Sequence, residues 1–527
     1  MRLTFKNVHK GVRFWQSNIH LKLVSSIENP ASNGTREIET ASSNPQQFQV
    51  YSSLSKTKET LKLKTDNLVT WYSCGPTVYD NSHIGHAICY IRFDLIRRIL
   101  ESHKFAVVYA MNVTDIDDKI IQRAKDLNLD FQEVAKKYEA SFFQDLLDLN
   151  VRMPSIVLRA TEYMKDIVHF IQELIKLNYA YTTSQGVFFD TARDAAYPRF
   201  RHMNVDETVR GVKRNVRDFA LWKPAKQGEP FWETPFGPGR PGWHIECSTM
   251  ASKVFGDRLD VHSGGKDLEF PHHENEEAQC CAFHGRSNWA THYIHSGYVK
   301  LSGEKMSKSI GNVLTIKEML KKYTADQLRM MCLRLPYWEH VEIREPFLNE
   351  AVSLLAKLSD ALALSDDYLR GRFSADINQD VLLRALRETQ TSVDAALLDN
   401  FDFARATARV MILTQMLVNE LRRESRDRAG SGAVAVASVS SFIRNFYIGL
   451  GFRLDTSQAV ADDLCLKSIL DKAVDFRFEM RKLALSSNSG EQRNHLLARC
   501  DNFRKVLEVD GVLIKDHVDR SSWVISK

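Results

Sequence analysis

The chain has 527 residues, 44% of them hydrophobic and 26% charged, which supports a sizeable core and, at this length, three or four domains. The net charge of +5 equals the charge of a basic N-terminal segment that has five cations and no acid before Glu28. The rest of the chain is therefore near neutral, and overall charge gives no indication of nucleic-acid binding. No apolar run of about 18 residues occurs, which excludes a membrane-spanning helix, and eight scattered cysteines exclude a dense disulfide framework and are predicted to be reduced.

The N-terminal segment interleaves cations with apolar side chains and then becomes rich in serine, asparagine and threonine. Its cations are Arg2, Lys6, Lys10, Arg13 and Lys22. An amphipathic basic segment without a continuous apolar stretch is typical of an organelle-import presequence rather than a secretory signal. We therefore predict a disordered presequence over residues 1–45 that directs the protein to the mitochondrial matrix. The alternative is a tail without a targeting role.

The next segment has the alternation of strands and helices that is typical of a parallel sheet. Residues 69–74 read as a buried strand that Gly75 ends, and helical spacing follows over 84–100. A second strand at 107–111 precedes another helix. This order predicts an α/β domain whose first half spans residues 46–145.

The remaining chain divides by composition into four further regions. Residues 146–235 contain helices and a β-rich basic segment, and are predicted to be an insertion into the α/β domain, which resumes over 236–300. Residues 301–355 carry a lysine-rich loop, and the leucine and alanine spacing of 356–485 predicts a helical bundle. Residues 486–527 are predicted to form a small C-terminal module.

Two small basic clusters lie beside glycines in the two halves of the chain. His83 and His86 flank Gly85 at the point where a predicted strand is followed by a helix. The backbone N–H groups of a helix start face any phosphate placed there, and both imidazoles can donate hydrogen bonds to an α-phosphate. Lys305 and Lys308 lie in a glycine-flanked loop, where flexible ammonium groups can follow a departing pyrophosphate. Either pair alone is more often a surface or metal-binding feature, but together they indicate one site for adenylate transfer.

A metal site is predicted from two thiols, an imidazole and a carboxylate. The candidate donors are Cys74, Cys247, His272 and Glu276. His272 and Glu276 are four residues apart and share one helical face, and this donor set can complete a zinc shell. His273 and Glu277 have the same spacing, so the residues alone leave the two pairs open.

Two further positions fit a nucleotide and amino-acid pocket. Gly265 allows close approach of a ligand to the backbone, and Asp267 can hold ribose hydroxyls, although an ordinary turn would look the same. Trp243 is either a core residue or the floor of a small pocket beside the metal.

Taken together, these motifs resemble the cysteinyl-tRNA synthetase family of class I aminoacyl-tRNA synthetases. The resemblance is carried by six motifs: His-Ile-Gly-His at 83–86, Lys-Met-Ser-Lys-Ser at 305–309, Cys-Gly-Pro-Thr-Val-Tyr-Asp at 74–80, Met-Asn-Val-Thr-Asp-Ile-Asp-Asp-Lys at 111–119, Gly-Arg-Pro-Gly-Trp-His-Ile-Glu-Cys-Ser at 239–248 and Phe-Pro-His-His-Glu-Asn-Glu at 270–276. It is strong over about residues 48–330 and weaker through the helical region. The fold it implies is a Rossmann-type α/β catalytic domain with a parallel sheet, split by an insertion. The resemblance further implies tRNA-stem contacts from residues 301–355, a tRNA-binding helical bundle over 356–485 and tRNA contacts from the terminal module.

The resemblance also implies the roles of the candidate residues. It assigns one zinc ion to Cys74, Cys247, His272 and Glu276, the cysteine pocket to Gly75, Thr114 and Trp243, and ATP with Mg²⁺ to His83, Gly85, His86, Gly265, Asp267, Lys305 and Lys308. The implied reaction joins L-cysteine to tRNA(Cys) through a cysteinyl-adenylate in mitochondria, with zinc selecting the substrate thiol. The expected partners are tRNA(Cys), cysteine and ATP, without a membrane, and both a monomer and a homodimer are compatible with the sequence.

Three other functions stay open at this point. The same adenylate could be joined to a small-molecule amine, or the chain could be a non-catalytic tRNA-binding protein. The resemblance further suggests a persulfide-forming side activity with pyridoxal phosphate, for which Lys119 is the candidate residue.

Overall fold

The computed structural model describes residues 47–200, 211–301, 304–305, 314–423, 432–454, 462–486, 490–516 and 521–525. The predicted presequence and Lys308 lie outside these ranges, and Lys305 is described by its backbone alone. The described helices include none with the length and apolar character needed to cross a bilayer. Every cysteine side chain in the described part is a free thiol.

The first described region forms a hairpin and then builds the parallel sheet in strand–helix order. Its elements are β1 (Gln49–Ser52), β2 (Thr57–Thr60), β3 (Leu68–Ser73), α1 (Ile84–Ser102), β4 (Ala106–Val113), α2 (Asp118–Leu127), α3 (Phe131–Asp148), β5 (Ile156–Arg159) and α4 (Met164–Lys176). Side chains that accept hydrogen bonds from first-turn N–H groups start the helices: His83 caps α1, Asp117 caps α2 and Asp130 caps α3.

A four-stranded antiparallel sheet follows in the order β6 (Ala180–Thr183), β7 (Gly186–Phe189), β8 (Phe219–Pro224) and β9 (Gly239–Pro241). The insertion was predicted over 146–235, and the structure differs at both ends. Inside that range, β5 pairs with β4 in the parallel sheet, and β9 lies beyond its end. Strands of three or four residues do not reveal their pairing partners in the sequence, because pairing depends on distant segments.

The chain then returns to the parallel sheet through α5 (Ile245–Phe255), β10 (Leu259–Gly265), α6 (Glu274–His284) and β11 (Ala290–Ser296). The strand order is β11–β10–β3–β4–β5, with every neighbouring pair parallel. The direction of winding reverses between β3 and β10, and ligands of such sheets bind beyond the carboxyl ends of the strands at this point. The residues that follow β3 and β10 therefore meet in a crevice.

A small sheet and four long helices come next. These elements are β12 (Val299–Leu301), β13 (Glu304–Lys305), α7 (Ile316–Leu320), α8 (Ala325–Cys332), β14 (Val341–Ile343), α9 (Glu345–Leu369), α10 (Gln379–Leu398), α11 (Phe403–Leu421) and α12 (Ala433–Gly449). One hydrophobic core runs from α1 and the sheet into α9–α12, since Ile96, Leu358 and Leu413 belong to the same buried cluster.

The last described elements are α13 (Asp462–Ser486), α14 (Gly490–Val509), β15 (Val512–Asp516) and β16 (Ser521–Ile525). Helix α13 packs mainly on α14 and β16. The buried guanidinium of Arg477 donates to the Cys500 carbonyl at 2.9 Å and pairs with Asp516 at 2.5 Å. Helix α13 therefore belongs with the terminal module, although the predicted division at 485 placed it in the bundle.

Candidate active site

A cavity of about 680 Å³ opens at the carboxyl ends of β3, β4 and β10, a size typical of small-molecule sites. Eleven of the predicted site residues line it: Cys74, Gly75, His83, Gly85, His86, Thr114, Trp243, Cys247, Gly265, Asp267 and His272. Glu276 is fully buried behind this wall and contacts Cys74. The side chains of Lys305 and Lys308 lie outside the described part, so their role stays a prediction.

The histidine pair forms the N-terminal cap of α1. His83 Nδ1 accepts from the Gly85 N–H at 3.1 Å, and His86 Nδ1 accepts from the His83 N–H at 3.2 Å. The two rings stack with centroids 3.9 Å apart. Because Nδ1 accepts in each neutral ring, the ring proton resides on Nε2, so each histidine can present a donor on its other side.

The backbone at Gly75 leaves no room for a side chain. A Cβ at this position would lie 1.8 Å from the Asn112 carbonyl oxygen. The close approach brings Cys74, which follows β3, against the end of β4, and the Cys74 N–H donates to the Ser263 carbonyl of β10 at 3.0 Å. The absence of a side chain at Gly75 thus allows the ends of β3, β4 and β10 to lie close together around the Cys74 thiol.

The four predicted metal donors meet in one buried cluster. The ligand atoms of Cys74, Cys247, His272 and Glu276 all lie within 4.8 Å of one another. The two sulfurs are 4.0 Å apart, Cys74 Sγ is 3.4 Å from Glu276 Oε1, and His272 Nε2 is 2.9 Å from the same oxygen. A single ion of zinc size is the kind of group that such a donor set holds.

The electrostatics of the cluster also favour a cation. Burial raises the pKa of the Cys74 thiol well above its usual range, and repulsion from Cys247 and Glu276 adds to this. The hydrogen bond from Cys74 lowers the pKa of Cys247 to about 6. Burial lowers the pKa of His272, but the Glu276 carboxylate outweighs this and raises it to about 10. The Cys247 thiolate and the Glu276 carboxylate thus lie together away from water beside the protonated His272, and a divalent ion bound by the same groups would take over the charge balance from that proton.

A second set of four donors shares two members with the first. Cys74 and Glu276 also lie close to His262 and His273. Cys247 and His272 line the cavity, whereas His262 and His273 are not among its lining residues. The first set therefore has the better access to a ligand, and it offers two sulfurs rather than one.

The structure does not bring His273 and Glu277 together as a ligand pair. The Glu277 carboxylate accepts from the backbone N–H of Trp289 at 2.8 Å and from the Tyr293 hydroxyl at 2.8 Å. His273 Nδ1 instead contacts His295 Nε2 at 2.7 Å. Glu277 thus anchors the loop before β11.

Sequence reasoning missed Asn112, a polar residue of the cavity wall, and Glu246, a buried partner of Thr114. Asn112 lines the cavity and bonds both Gly75 and Thr114, and Glu246 accepts a bond from Thr114 at 3.4 Å. A polar residue inside the apolar run of β4 is the signal that would have identified Asn112, since buried polar groups need partners.

Lys119 lines the same cavity, and its ammonium lies over the Tyr79 ring at 5.4 Å from the centroid. It therefore faces the candidate active site rather than a second pocket of its own. The pyridoxal phosphate activity stays a prediction without support from this geometry.

The comparisons with known proteins agree with this geometry. A family model described as the class I (C) tRNA synthetase catalytic domain matches residues 60–353. A Xenopus tropicalis protein named "Probable cysteine--tRNA ligase, mitochondrial" is 41% identical over 509 residues, which cover 90% of this chain and 89% of the relative. The cysteine–tRNA ligase of Thermococcus onnurineus is 37% identical over 487 residues, covering 90% and 98% of the two chains.

Solved structures share the fold at low sequence identity. Mycobacterium tuberculosis methionyl-tRNA synthetase in complex with methionyl-adenylate has a TM-score of 0.58 at 15% identity, covering 73% of this chain and 91% of its own. A leucyl-tRNA synthetase–tRNA complex of Agrobacterium radiobacter has a TM-score of 0.56 at 11% identity, covering 75% and 85%. The predicted α/β class I fold is thereby confirmed, and the chain belongs to the cysteine–tRNA ligase family of class I tRNA synthetases.

Proposed function

We propose that the chain joins L-cysteine to tRNA(Cys) through a cysteinyl-adenylate, with ATP taken up together with Mg²⁺, and that it serves translation in the mitochondrial matrix. The observation that carries the proposal is the shared cavity. His83 and His86 line the same space as Cys74, Cys247 and His272, so a phosphate and a thiol of one small intermediate can be held at once. Similarity to a relative named as mitochondrial supports the location.

The reaction requires no nucleophile from the protein. The carboxylate of cysteine attacks the α-phosphate of ATP and pyrophosphate leaves. A terminal ribose hydroxyl of the tRNA then attacks the cysteinyl carbonyl of the adenylate, and AMP leaves. The protein positions the reactants and stabilises developing charge. His83 and His86 can donate Nε2–H to the α-phosphate because their Nδ1 atoms are held by the helix cap. Lys305 and Lys308 are proposed to stabilise the departing pyrophosphate.

Cys74, Cys247, His272 and Glu276 fit a zinc ion by donor chemistry and burial. A bound zinc would supply a soft Lewis acid that prefers a thiolate sulfur to an alcohol oxygen. The distinction matters because serine is nearly isosteric with cysteine, and pocket packing alone separates such small differences by only about 10–200-fold. We therefore assign discrimination against serine to this cluster.

Replacing Cys247 by serine tests the proposal directly. We expect Cys247→Ser to lose most of the bound zinc and to lower the ratio of cysteine to serine activation by at least about tenfold, because an alcohol replaces a soft ligand. Zinc content by mass spectrometry and cysteine- or serine-dependent ATP–pyrophosphate exchange provide the two measurements.

Cys280→Ser is the matched control. Cys280 is also fully buried near the cluster, but its sulfur contacts Ser252 Oγ at 3.6 Å and the Ser248 carbonyl at 3.8 Å, groups that a serine hydroxyl can also bond. It should keep both zinc and discrimination. Retention of full discrimination by Cys247→Ser would contradict the assigned role.

The alternative functions predict different results in the activation and charging assays. A ligase that acts on a small-molecule amine would activate cysteine without charging tRNA, and a non-catalytic tRNA-binding protein would show no exchange. Identity of 41% to the Xenopus relative over 90% of the chain, which extends beyond the catalytic-domain match, supports the tRNA ligase.

A further inference from the structure

Asn112 connects two predicted parts of the cysteine pocket. It lies near the end of β4, is 1% exposed and lines the cavity. Its Oδ1 accepts from the Gly75 N–H at 2.8 Å, and its Nδ2 donates to Thr114 Oγ1 at 3.3 Å. One amide thus ties the backbone beside Cys74 to the hydroxyl of the residue that directly follows β4.

The direction of these bonds follows from elementary chemistry. A peptide N–H can only donate, so the oxygen of the Asn112 amide must face Gly75 and its NH₂ group must face Thr114. The Thr114 oxygen therefore accepts from Asn112. Its own hydrogen points to Glu246 Oε2 at 3.4 Å, and a carboxyl group keeps an acceptor oxygen in either protonation state.

These bonds leave the Thr114 hydroxyl with a single role toward a ligand. A hydroxyl has one hydrogen and two lone pairs, and here the hydrogen and one lone pair are engaged by Glu246 and Asn112. The remaining lone pair can only accept. Because Thr114 lines the cavity, the pocket at this point selects a donor, and the donor that an amino-acid substrate carries is its α-ammonium group.

We propose that Asn112 is a positioning residue that sets the Thr114 hydroxyl as the acceptor for the substrate α-ammonium group. The inference rests on the proposed activation of cysteine and names how its amino end is recognised. The thiol end is assigned to the zinc ion that the cluster containing Cys74 and Cys247 would hold, so Thr114 and the cluster would bind opposite ends of one small substrate.

Two competitive inhibitors, each with only some of the groups of cysteine, distinguish binding of the ammonium group from binding of the rest of the substrate. Cysteamine has the thiol and the ammonium group but no carboxylate, and 3-mercaptopropionate has the thiol and the carboxylate but no ammonium group. Their inhibition constants against cysteine-dependent ATP–pyrophosphate exchange would be measured for wild type, Asn112→Leu, Thr114→Val and the double variant. Leucine keeps the shape of asparagine but cannot form either bond.

We expect Asn112→Leu and Thr114→Val each to weaken inhibition by cysteamine about tenfold or more, the usual effect of losing a hydrogen bond to a charged group. Inhibition by 3-mercaptopropionate should change less than about threefold, because its contacts do not involve Thr114. The double variant should be no worse toward cysteamine than Thr114→Val, because Asn112 acts through Thr114.

Thr407→Val is the matched control for the threonine change. Thr407 is a buried residue of α11 whose hydroxyl has no hydrogen-bond partner among the described residues, so both inhibition constants should stay at their wild-type values. Zinc content and the thermal midpoint of each variant show whether the fold is retained. Thr114→Val also provides a test that does not depend on how well Asn112→Leu folds.

Several results would overturn the inference. Equal weakening of both inhibitors would make Asn112 a structural residue, and an unchanged cysteamine constant in Thr114→Val would remove Thr114 as the acceptor. Additive losses in the double variant would show that Asn112 and Thr114 act independently, which contradicts the proposed action of Asn112 through Thr114. Absence of cysteine-dependent exchange in wild type would instead contradict the proposed function itself.

Discussion

Each histidine of the His83–His86 pair uses its Nδ1 atom in the helix cap and also lines the cavity. The Nδ1 atoms accept backbone N–H groups at the start of α1, which fixes the ring planes before any ligand arrives. The motif identified both histidines from the sequence, but the cap was not predictable, because histidine is not among the usual capping residues. A single side chain thus stabilises the helix and is proposed to bind the α-phosphate.

Two substitutions of His86 separate these contributions. In His86→Asn the amide oxygen can replace Nδ1 in the cap, whereas in His86→Gln the amide NH₂ can replace Nε2–H toward the cavity. We expect His86→Asn to keep its thermal midpoint and to lose about 10²–10³-fold in ATP–pyrophosphate exchange, the cost of removing one donor to a developing charge. His86→Gln should retain more exchange and lose about 1 kcal/mol of stability. Equal exchange rates in the two variants would contradict this division.

At the scale of elements, the parallel sheet determines which distant residues meet. Strand–helix alternation predicted β3, α1 and β4, since their apolar spacing is regular and the segments are long. The convergence of Cys74 with Cys247 was predicted from their donor chemistry, and only the family resemblance selected this donor set over its competitor. It depends on β10 pairing beside β3, which no local pattern reveals, and the same limit explains why β5 was assigned to the insertion.

Helix ends are joined by a buried ion-pair network centred on Asp94 of α1. Arg329 of α8 donates to Asp94 Oδ2 at 2.6 Å, and Arg98 donates to the same oxygen at 2.7 Å. Arg329 also donates to the carbonyls of Leu450, after α12, and Asn150, after α3. One carboxylate and two guanidinium groups therefore hold α8 and the C-terminal ends of α3 and α12 against α1, which carries the histidine pair.

Asp94→Asn tests this network through its pH dependence. Burial raises the pKa of Asp94, but Arg329 and Arg98 outweigh it and the folded-state pKa lies below its usual value. The ionised carboxylate therefore adds stability above the unfolded pKa of about 3.9, and this contribution is lost as pH falls through the folded-state value. We expect the variant to be about 3–5 kcal/mol less stable at pH 7. Urea unfolding should show this difference shrinking as the pH is lowered below about 4.

Asp367→Asn is the control for an exposed pair. Asp367 bonds Arg372 at 2.7 Å, with the side chains 39% and 62% exposed, so its loss should cost at most about 1 kcal/mol. A similar loss in both variants, or a difference from wild type that stays constant in acid, would contradict the role given to Asp94.

At the scale of the whole molecule, the described chain packs around more than one core. The core that contains α1 continues into α9–α12, so the bundle is joined to the catalytic sheet by buried apolar side chains. Helices α13 and α14 pack with the hairpin β15–β16 around Arg477. The sequence predicted a bundle and a terminal module but not their boundary, because both are helical there and the composition does not change.

Arg477→Met tests whether the terminal module serves tRNA rather than adenylate formation. Arg477 is 3% exposed, and its loss removes the bonds to the Cys500 carbonyl and Asp516 that hold α13, α14 and β15 together. We expect ATP–pyrophosphate exchange within about twofold of wild type, because the cavity is built from other elements. The kcat/KM for tRNA charging should fall at least about tenfold, which corresponds to about 1.4 kcal/mol of transition-state binding.

The same measurements on Arg504→Met give the matched comparison. Arg504 is 41% exposed and approaches Asp501 at 3.6 Å and Asp516 at 3.9 Å, contacts that solvent weakens, so both activities should stay near wild type. The contrast between the two arginines then reports on the packing of the module rather than on its net charge, since both changes remove one positive charge. Equal loss of charging in both variants would mean that tRNA binding depends on the positive charge alone. Parallel loss of exchange and charging in Arg477→Met would mean that the terminal module is needed for the structure of the catalytic sheet.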